Sequence, residues 1–138
     1  MRPSPTDYGS FYQGYIDNTV IHDQPIDAII TSFNELEKLL IYIPVEKADH
    51  AYAPGKWTLK ELLQHMIDAE RIFSYRALCI ARGEQKPLPS FEENEYAANS
   101  NANARNWKDL VDEMLTLRQS TIQLYHSFNE DQLNQRGI

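Results

Sequence analysis

One histidine in a predicted helix is the residue of this chain best placed to do chemistry. His65 follows a turn at Pro54 and Gly55 and a helix start at Thr58. An imidazole can act as a general acid or base near neutral pH, and it is a common ligand of transition metals. The simpler interpretation is a half-buried histidine whose ring nitrogens are satisfied by a neighbouring side chain or carbonyl group. Spacing alone leaves both interpretations open.

Two arginines lie close to apolar stripes and are the other candidates for a functional role. Arg76 lies at the edge of the stripe that carries His65, and Arg118 lies near the middle of a later helix. A buried guanidinium costs free energy unless it is paired, so each implies a carboxylate, a cluster of carbonyls or an anionic ligand. Glu70 and Glu113 are candidate partners within the chain. Alternatively, both arginines face the same cavity as His65 and bind an anionic substrate.

The helix that carries His65 has clear start and stop signals. Thr58 and Glu61 form the S/T-x-x-E pattern of a capping box, and Gly83 is placed to end the helix near Arg82. Successive residues lie about 100° apart around a helix axis, which gathers the apolar residues on one face. The predicted face consists of Leu59, Leu62, Met66, Ala69, Phe73, Ala77 and Ile80.

Two further long helices and no convincing strand are predicted, so the expected fold class is all-α. The first long helix starts at Pro25, a residue favoured at the first helical position, and Pro44 ends it. The third long helix starts near Trp107, behind the N-cap candidate Asn106. Short helices are expected over residues 11–16 and 91–98, and a loop over 99–106.

Length and composition indicate a single domain. A chain of 138 residues can bury one substantial core. We expect a single helical domain over residues 1–138, of which 1–24 form an N-terminal arm. The aromatic rings of that arm are expected to pack on the helices: Tyr8, Phe11, Tyr12 and Tyr15.

The charge of the chain limits its partners. A formal net charge of −7 at pH 7 argues against binding to nucleic acid or to an anionic membrane, because phosphate binding requires clustered Lys and Arg. A single cysteine excludes an intrachain disulfide, which is typical of a reducing compartment. Neither a signal peptide nor a run of about 18 apolar residues is recognisable. We therefore expect a cytoplasmic protein.

Short motifs spread along the chain carry a family resemblance. They are Lys56-Trp57-Thr58-Leu59-Lys60-Glu61, His65, Asp68-Ala69-Glu70-Arg71, Tyr75-Arg76, Ala81-Arg82-Gly83, Leu88-Pro89-Ser90-Phe91 and Leu117-Arg118. In this order they resemble the DinB-like metal-binding four-helix-bundle family over essentially the whole chain. The resemblance implies an up-down-type bundle whose second helix gives one histidine to a divalent metal, Zn or Ni. His65 matches that ligand, and relatives favour a homodimer.

The remaining ligands of that family have no match in this chain. The resemblance implies two more histidines, one turn apart, in a last helix. His22, His50 and His126 include no H-x3-H pair, and surface or capping roles are expected for them. The last bundle helix is therefore expected to be missing from this chain. The chain could be part of a longer protein, which we favour; alternatively, a second copy or a separate segment fills the open groove.

Two functional hypotheses follow. The first is a divalent-metal-dependent hydrolase or thiol S-transferase in which His65 is a metal ligand and Arg76 or Arg118 orients a small-molecule substrate. The second is a non-catalytic bundle that binds a small ligand or a protein partner in its groove. A stress-related role is compatible with either hypothesis. No catalytic residue is assigned.

Overall fold

The computed structural model describes residues 3–19 and 24–137, and within these ranges the chain has six α-helices and no β-strand. They are α1 (Gln13–Asp17), α2 (Pro25–Tyr42), α3 (Leu59–Ala81), α4 (Glu93–Asn99), α5 (Trp107–His126) and α6 (Glu130–Leu133). Short 3-10 helices occupy Ser10–Tyr12, Val45–Lys47 and Ala102–Ala104. The all-α prediction is confirmed. The prediction for His22 falls outside the described residues.

The helix ends follow the local signals. Thr58 caps α3: its hydroxyl accepts a hydrogen bond from the Glu61 amide at 3.1 Å, and the Glu61 carboxylate accepts one from the Thr58 amide at 2.8 Å. Gly83, just beyond α3, has φ +81°, a left-handed conformation that glycine adopts without a steric penalty. At the start of α5, the side-chain oxygen of Asn106 accepts a hydrogen bond from the Lys108 amide at 3.0 Å. Both predicted caps are confirmed.

The three long helices form the body of the molecule around α5. Helices α2 and α3 both pack against α5, and α4 packs on α3. Ile67 of α3 and Leu110 of α5 are fully buried at the α3–α5 contact. The buried core cluster consists of Leu40, Ala48, Leu63, Ile67, Trp107, Leu110 and Met114. No described helix is long and apolar enough to cross a membrane.

The face that α3 buries is rotated from the predicted stripe. Leu63 and Ile67 form its buried centre, whereas Leu62 and Phe73 of the predicted face are 43% and 54% exposed. Helix α3 carries apolar residues on two adjacent faces, and only one of them packs on α5. The other face borders an open groove, so the predicted stripe was wrong in its choice of buried centre.

The N-terminal arm does not pack as predicted. The side chains of Phe11, Tyr12 and Tyr15 are 75%, 52% and 65% exposed. These rings contact one another, and the centroids of Phe11 and Tyr12 lie 5.2 Å apart in an edge arrangement. The expectation that the rings pack on the bundle was therefore wrong for these three residues. Apolar composition identifies candidates for burial but does not identify the surface that buries them.

Candidate functional site

A groove of about 630 Å³ runs between α2 and α3, with α5 as its floor. Helices α2 and α3 each pack on α5, and residues of all three helices line the groove. The volume lies within the range typical of small-molecule sites. Among its lining residues with functional side chains are Ser32, Glu35, His65, Glu70, Arg118 and Tyr125.

The groove contains His65, partly buried on the second turn of α3. Its imidazole ring contacts the indole of Trp57, with ring centroids 4.9 Å apart and planes at 45°. Trp57 immediately precedes the capping residue Thr58, so the cap that fixes the start of α3 also places this indole beside the imidazole. Within the described part of the chain, neither imidazole nitrogen makes a hydrogen bond. The ring is held by packing, and its nitrogens have no described protein partner.

An ion pair at the groove joins all three long helices. The Nε of Arg118 on α5 donates to both carboxylate oxygens of Glu70 on α3, at 2.8 and 2.9 Å. Its Nη1 donates to the hydroxyl of Ser32 on α2 at 2.9 Å. The side chains of Arg118 and Glu70 are only 16% and 9% exposed. Such a pair is tolerated away from water because each charge is matched and hydrogen-bonded. Glu70 is one of the two acids that the sequence offered as partners, and the structure pairs it with Arg118.

Tyr125 adds a phenol to the part of the groove formed by α5. Burial, and then the charge of Glu70, raise the pKa of Tyr125 above its usual 10.0. The phenol therefore remains protonated at neutral pH, and it can donate a hydrogen bond to a ligand. Sequence reasoning did not identify Tyr125 as a site residue. The sequence signal that could have identified it is a tyrosine, whose ring carries a hydroxyl group, among the apolar residues of α5.

Comparison with known proteins places this arrangement in a family. Residues 28–138 match the DinB superfamily. The chain belongs to the DinB superfamily. Among solved structures, YfiT from Bacillus subtilis is similar, with a TM-score of 0.69 and 14% identity over 84% of this chain and 69% of that chain. YfiT is described as a probable metal-dependent hydrolase with an unusual four-helix bundle topology. At this identity, the likeness shows a shared fold. No curated protein matches the chain.

The second candidate arginine of this DinB-superfamily chain lies outside the groove. Arg76 lines a separate cleft between α3 and the segment that leads to α4. Its Nη2 donates to the Pro89 carbonyl oxygen at 2.6 Å, and its guanidinium carbon lies 5.6 Å from the Phe73 ring centroid and 6.0 Å from that of Phe91. The two arginines therefore do not share a cavity.

The metal that the DinB family implies requires more ligands than the described residues of one chain provide. Within residues 3–19 and 24–137, no group of three His, Cys, Asp or Glu side chains could hold an ion. His65 contributes one imidazole, and Glu70 is held by Arg118. His50 and His126 are exposed. Catalytic zinc sites take three protein ligands, so these residues alone do not complete one.

Proposed function

We propose that this chain belongs to a divalent-metal-dependent enzyme of hydrolase or thiol S-transferase type, whose active site is the groove between α2 and α3. The observation that carries the proposal is the position of His65 in that groove. Its ring is oriented by Trp57, and its nitrogens make no hydrogen bond to a described residue. This histidine also matches the family's first metal ligand.

The remaining ligands would come from beyond the described residues of one chain. A further segment of a longer protein, a separate segment, or a second copy in a homodimer could each supply them. Three imidazoles with an open position suit Zn or Ni. When bound, such a metal would supply Lewis acidity and lower the pKa of a coordinated water or thiol.

Arg118 would orient the substrate. Its Nε and Nη1 are used by Glu70 and Ser32, while Nη2 makes no hydrogen bond to a described residue. A guanidinium held on two sides is a preorganised donor for an anionic group in the groove. Tyr125 would add a second hydrogen-bond donor from the same helix. We infer a small-molecule substrate and a cytoplasmic protein, and the negative net charge disfavours nucleic acid as a partner.

A second candidate function is metal-free binding of a small ligand or a protein partner in the same groove. The lack of a three-ligand cluster among the described residues favours it. On this alternative, His65 and Tyr125 act only as hydrogen-bonding groups of a binding site.

Thermal unfolding separates the two candidates. For the enzyme, Zn²⁺ or Ni²⁺ at ten times the dissociation constant should stabilise the wild type by about 1.4 kcal/mol. His65→Ala should abolish this effect, whereas the exposed control His126→Ala should retain it. Addition of a chelator should reverse the stabilisation. If metal and chelator leave the melting temperature of each of the three proteins unchanged, the metal-free groove is favoured.

A further inference from the structure

The cleft that contains Arg76 is distinct in charge from the rest of this acidic chain. It has a volume of about 310 Å³. Its described lining includes two arginines, Arg71 and Arg76, and no carboxylate. Arg71 is neutralised from outside the cleft by Glu113 on α5. In a chain with a net charge of −7, the cleft therefore holds one guanidinium, that of Arg76, without a described counter-ion.

Arg76 keeps most of its donors unused. One N–H group donates to the Pro89 carbonyl, which is neutral, and no described carboxylate lies within ion-pair distance of the guanidinium. Arg71, Arg105 and Arg118, by contrast, each pair with a glutamate. Stacking on Phe73 and Phe91 holds the guanidinium without neutralising its charge. The remaining donors are available to an oxyanion.

The walls of the cleft are suited to a flat apolar group. Phe91 and Tyr96 contact each other, with ring centroids 5.2 Å apart. From α3, Ile72 adds an aliphatic side chain to the lining and Tyr75 adds a third ring. Aromatic walls of this kind favour offset or edge contacts with another ring. The volume is at the lower end of the range for ligand pockets, which corresponds to a single-ring compound.

We propose that this cleft binds a small aromatic oxyanion, a ring bearing a carboxylate or a phosphate. The guanidinium of Arg76 donates parallel N–H groups to two oxygens of that carboxylate or phosphate. The ring packs between Ile72 and the Phe91–Tyr96 pair. This site is distinct from the groove of His65, and the two adjoin at Phe73, which lines the groove and stacks against Arg76. The proposal does not depend on a metal.

The test is a titration of the whole chain, in the presence of a chelator, followed by NMR chemical shifts. The probes are benzoate, phenyl phosphate, the neutral analogue benzamide, and inorganic phosphate. We expect benzoate or phenyl phosphate to shift the signals of Ile72, Phe91 and Tyr96 in a saturable way. Whichever of these two compounds binds more tightly identifies the preferred anionic group, carboxylate or phosphate. Benzamide and inorganic phosphate should each bind at least about tenfold more weakly, because benzamide lacks the negative charge and inorganic phosphate lacks the ring.

Arginine variants provide the matched comparison. Arg76→Gln should weaken binding by about tenfold or more, and Arg76→Lys should weaken it less, because it keeps the charge but not the planar fork. Arg82→Gln is the control, since Arg82 also stacks on a phenyl ring, that of Phe128, and is exposed beyond the end of α3. Unchanged affinity in Arg76→Gln, equal binding of benzamide and benzoate, or shifts confined to the groove would each overturn the proposal. The wild-type shift map decides the site even if a variant folds poorly.

Discussion

The ion pair between Glu70 and Arg118 is the charged contact that defines the groove. It joins α3 to α5, and the contact of Arg118 with Ser32 extends the connection to α2. Because both charged side chains are largely shielded from water, removing one would leave the other uncompensated. This makes the pair a structural element as well as a candidate part of the site.

We predict that Arg118→Met destabilises the fold by about 3 kcal/mol. The cause is the Glu70 carboxylate, which would remain shielded without a partner. Urea unfolding at pH 7 measures the loss. The double variant Arg118→Met with Glu70→Leu should recover most of it, because both charges are then absent. Additive losses from the two single substitutions would contradict this account of the pair.

Glu113 makes the stability of the fold dependent on pH. Burial raises the pKa of this carboxyl, but the hydrogen bonds and charges of Arg71 and Arg105 outweigh that effect and leave the pKa below 4.5. A depressed native-state pKa means that the carboxylate stabilises the fold above the unfolded-state pKa. That contribution is lost as the pH falls through the folded-state pKa.

The corresponding prediction concerns Glu113→Gln. At pH 7 this variant should be about 1–2 kcal/mol less stable than the wild type. The difference should shrink as the pH falls below about 4.5, because the wild type then becomes protonated as well. Urea midpoints at several pH values between 7 and 3 measure it, with the exposed Glu46→Gln as control. A constant difference across this range would contradict the assignment.

The sequence predicted residue contacts correctly where a charged side chain required an oppositely charged partner. An arginine near an apolar stripe requires a counter-charge, and Glu70 was among the two acids offered. Glu113 pairs instead with Arg71 and Arg105. The buried Gln64, hydrogen-bonded to Arg105 and Asp68, could not be predicted. The contact with Asp68 lies within α3, four residues apart, whereas the contact with Arg105 depends on how the segment before α5 approaches α3 and has no signal in sequence spacing.

At the scale of elements, the cap of α3 connects local and long-range structure. The Thr58 hydroxyl accepts from the Glu61 amide and also donates to the side-chain oxygen of Asn103 at 2.7 Å. Asn103 lies in the 3-10 helix Ala102–Ala104 that precedes α5. One side chain therefore fixes the start of α3, and with it the position of Trp57, and ties that start to the segment leading into α5.

We predict that Thr58→Ala costs about 1–2 kcal/mol in the free energy of unfolding. Both hydrogen bonds of the hydroxyl would be lost, and the amide of Glu61 would lose its cap. Thr58→Ser should be nearly neutral, because it keeps the hydroxyl. Thermal unfolding of both variants measures the difference. Equal losses in the two variants would mean that the methyl group, and not the hydroxyl, stabilises this turn.

The boundaries of the long helices were predictable because prolines, caps and glycine act locally. Pro25, Thr58, Asn106 and Gly83 lie where the sequence placed them. The orientation of the faces was less predictable, because α3 has two adjacent apolar faces and periodicity does not show which of them meets α5. The short helix α6 was not predicted, since four residues provide too little periodicity.

At the scale of the whole molecule, the groove leaves apolar surface exposed. Phe73 lines it with 54% of its surface accessible. Exposed apolar surface of this kind favours association with another segment or another copy. Of the three ways to complete the groove, we propose that a second copy of the chain covers it in a homodimer.

The prediction is that the chain associates through this groove. Phe73→Glu should shift the protein toward monomer, because a charge at the interface would be desolvated. Tyr42→Glu is the matched control, since Tyr42 is 82% exposed but does not line the groove. Sedimentation analysis over a range of concentrations measures the change. A monomeric wild type, or equal effects of the two variants, would contradict association through the groove.

The family resemblance was sufficient to predict the global fold from the sequence. It was not sufficient to predict a complete set of metal ligands. A bundle is specified by many separated apolar and capping residues, so several matches in order are sufficient to identify it. A metal site is specified by a few side chains that must meet in space. Here only His65 matches the family's ligand set, and the described residues form no group of three potential ligands around it.

Metal content per chain shows whether His65 is a ligand of a metal centre. Tag-free wild type and His65→Ala would be compared by elemental analysis, with His126→Ala as control. We expect zinc or nickel in stoichiometric amount in the wild type and in His126→Ala, and none in His65→Ala. Metal retained in His65→Ala would contradict the claim that His65 is a ligand. No metal in any of the three proteins after incubation with Zn²⁺ and Ni²⁺ would contradict a metal centre completed by a second copy of this chain.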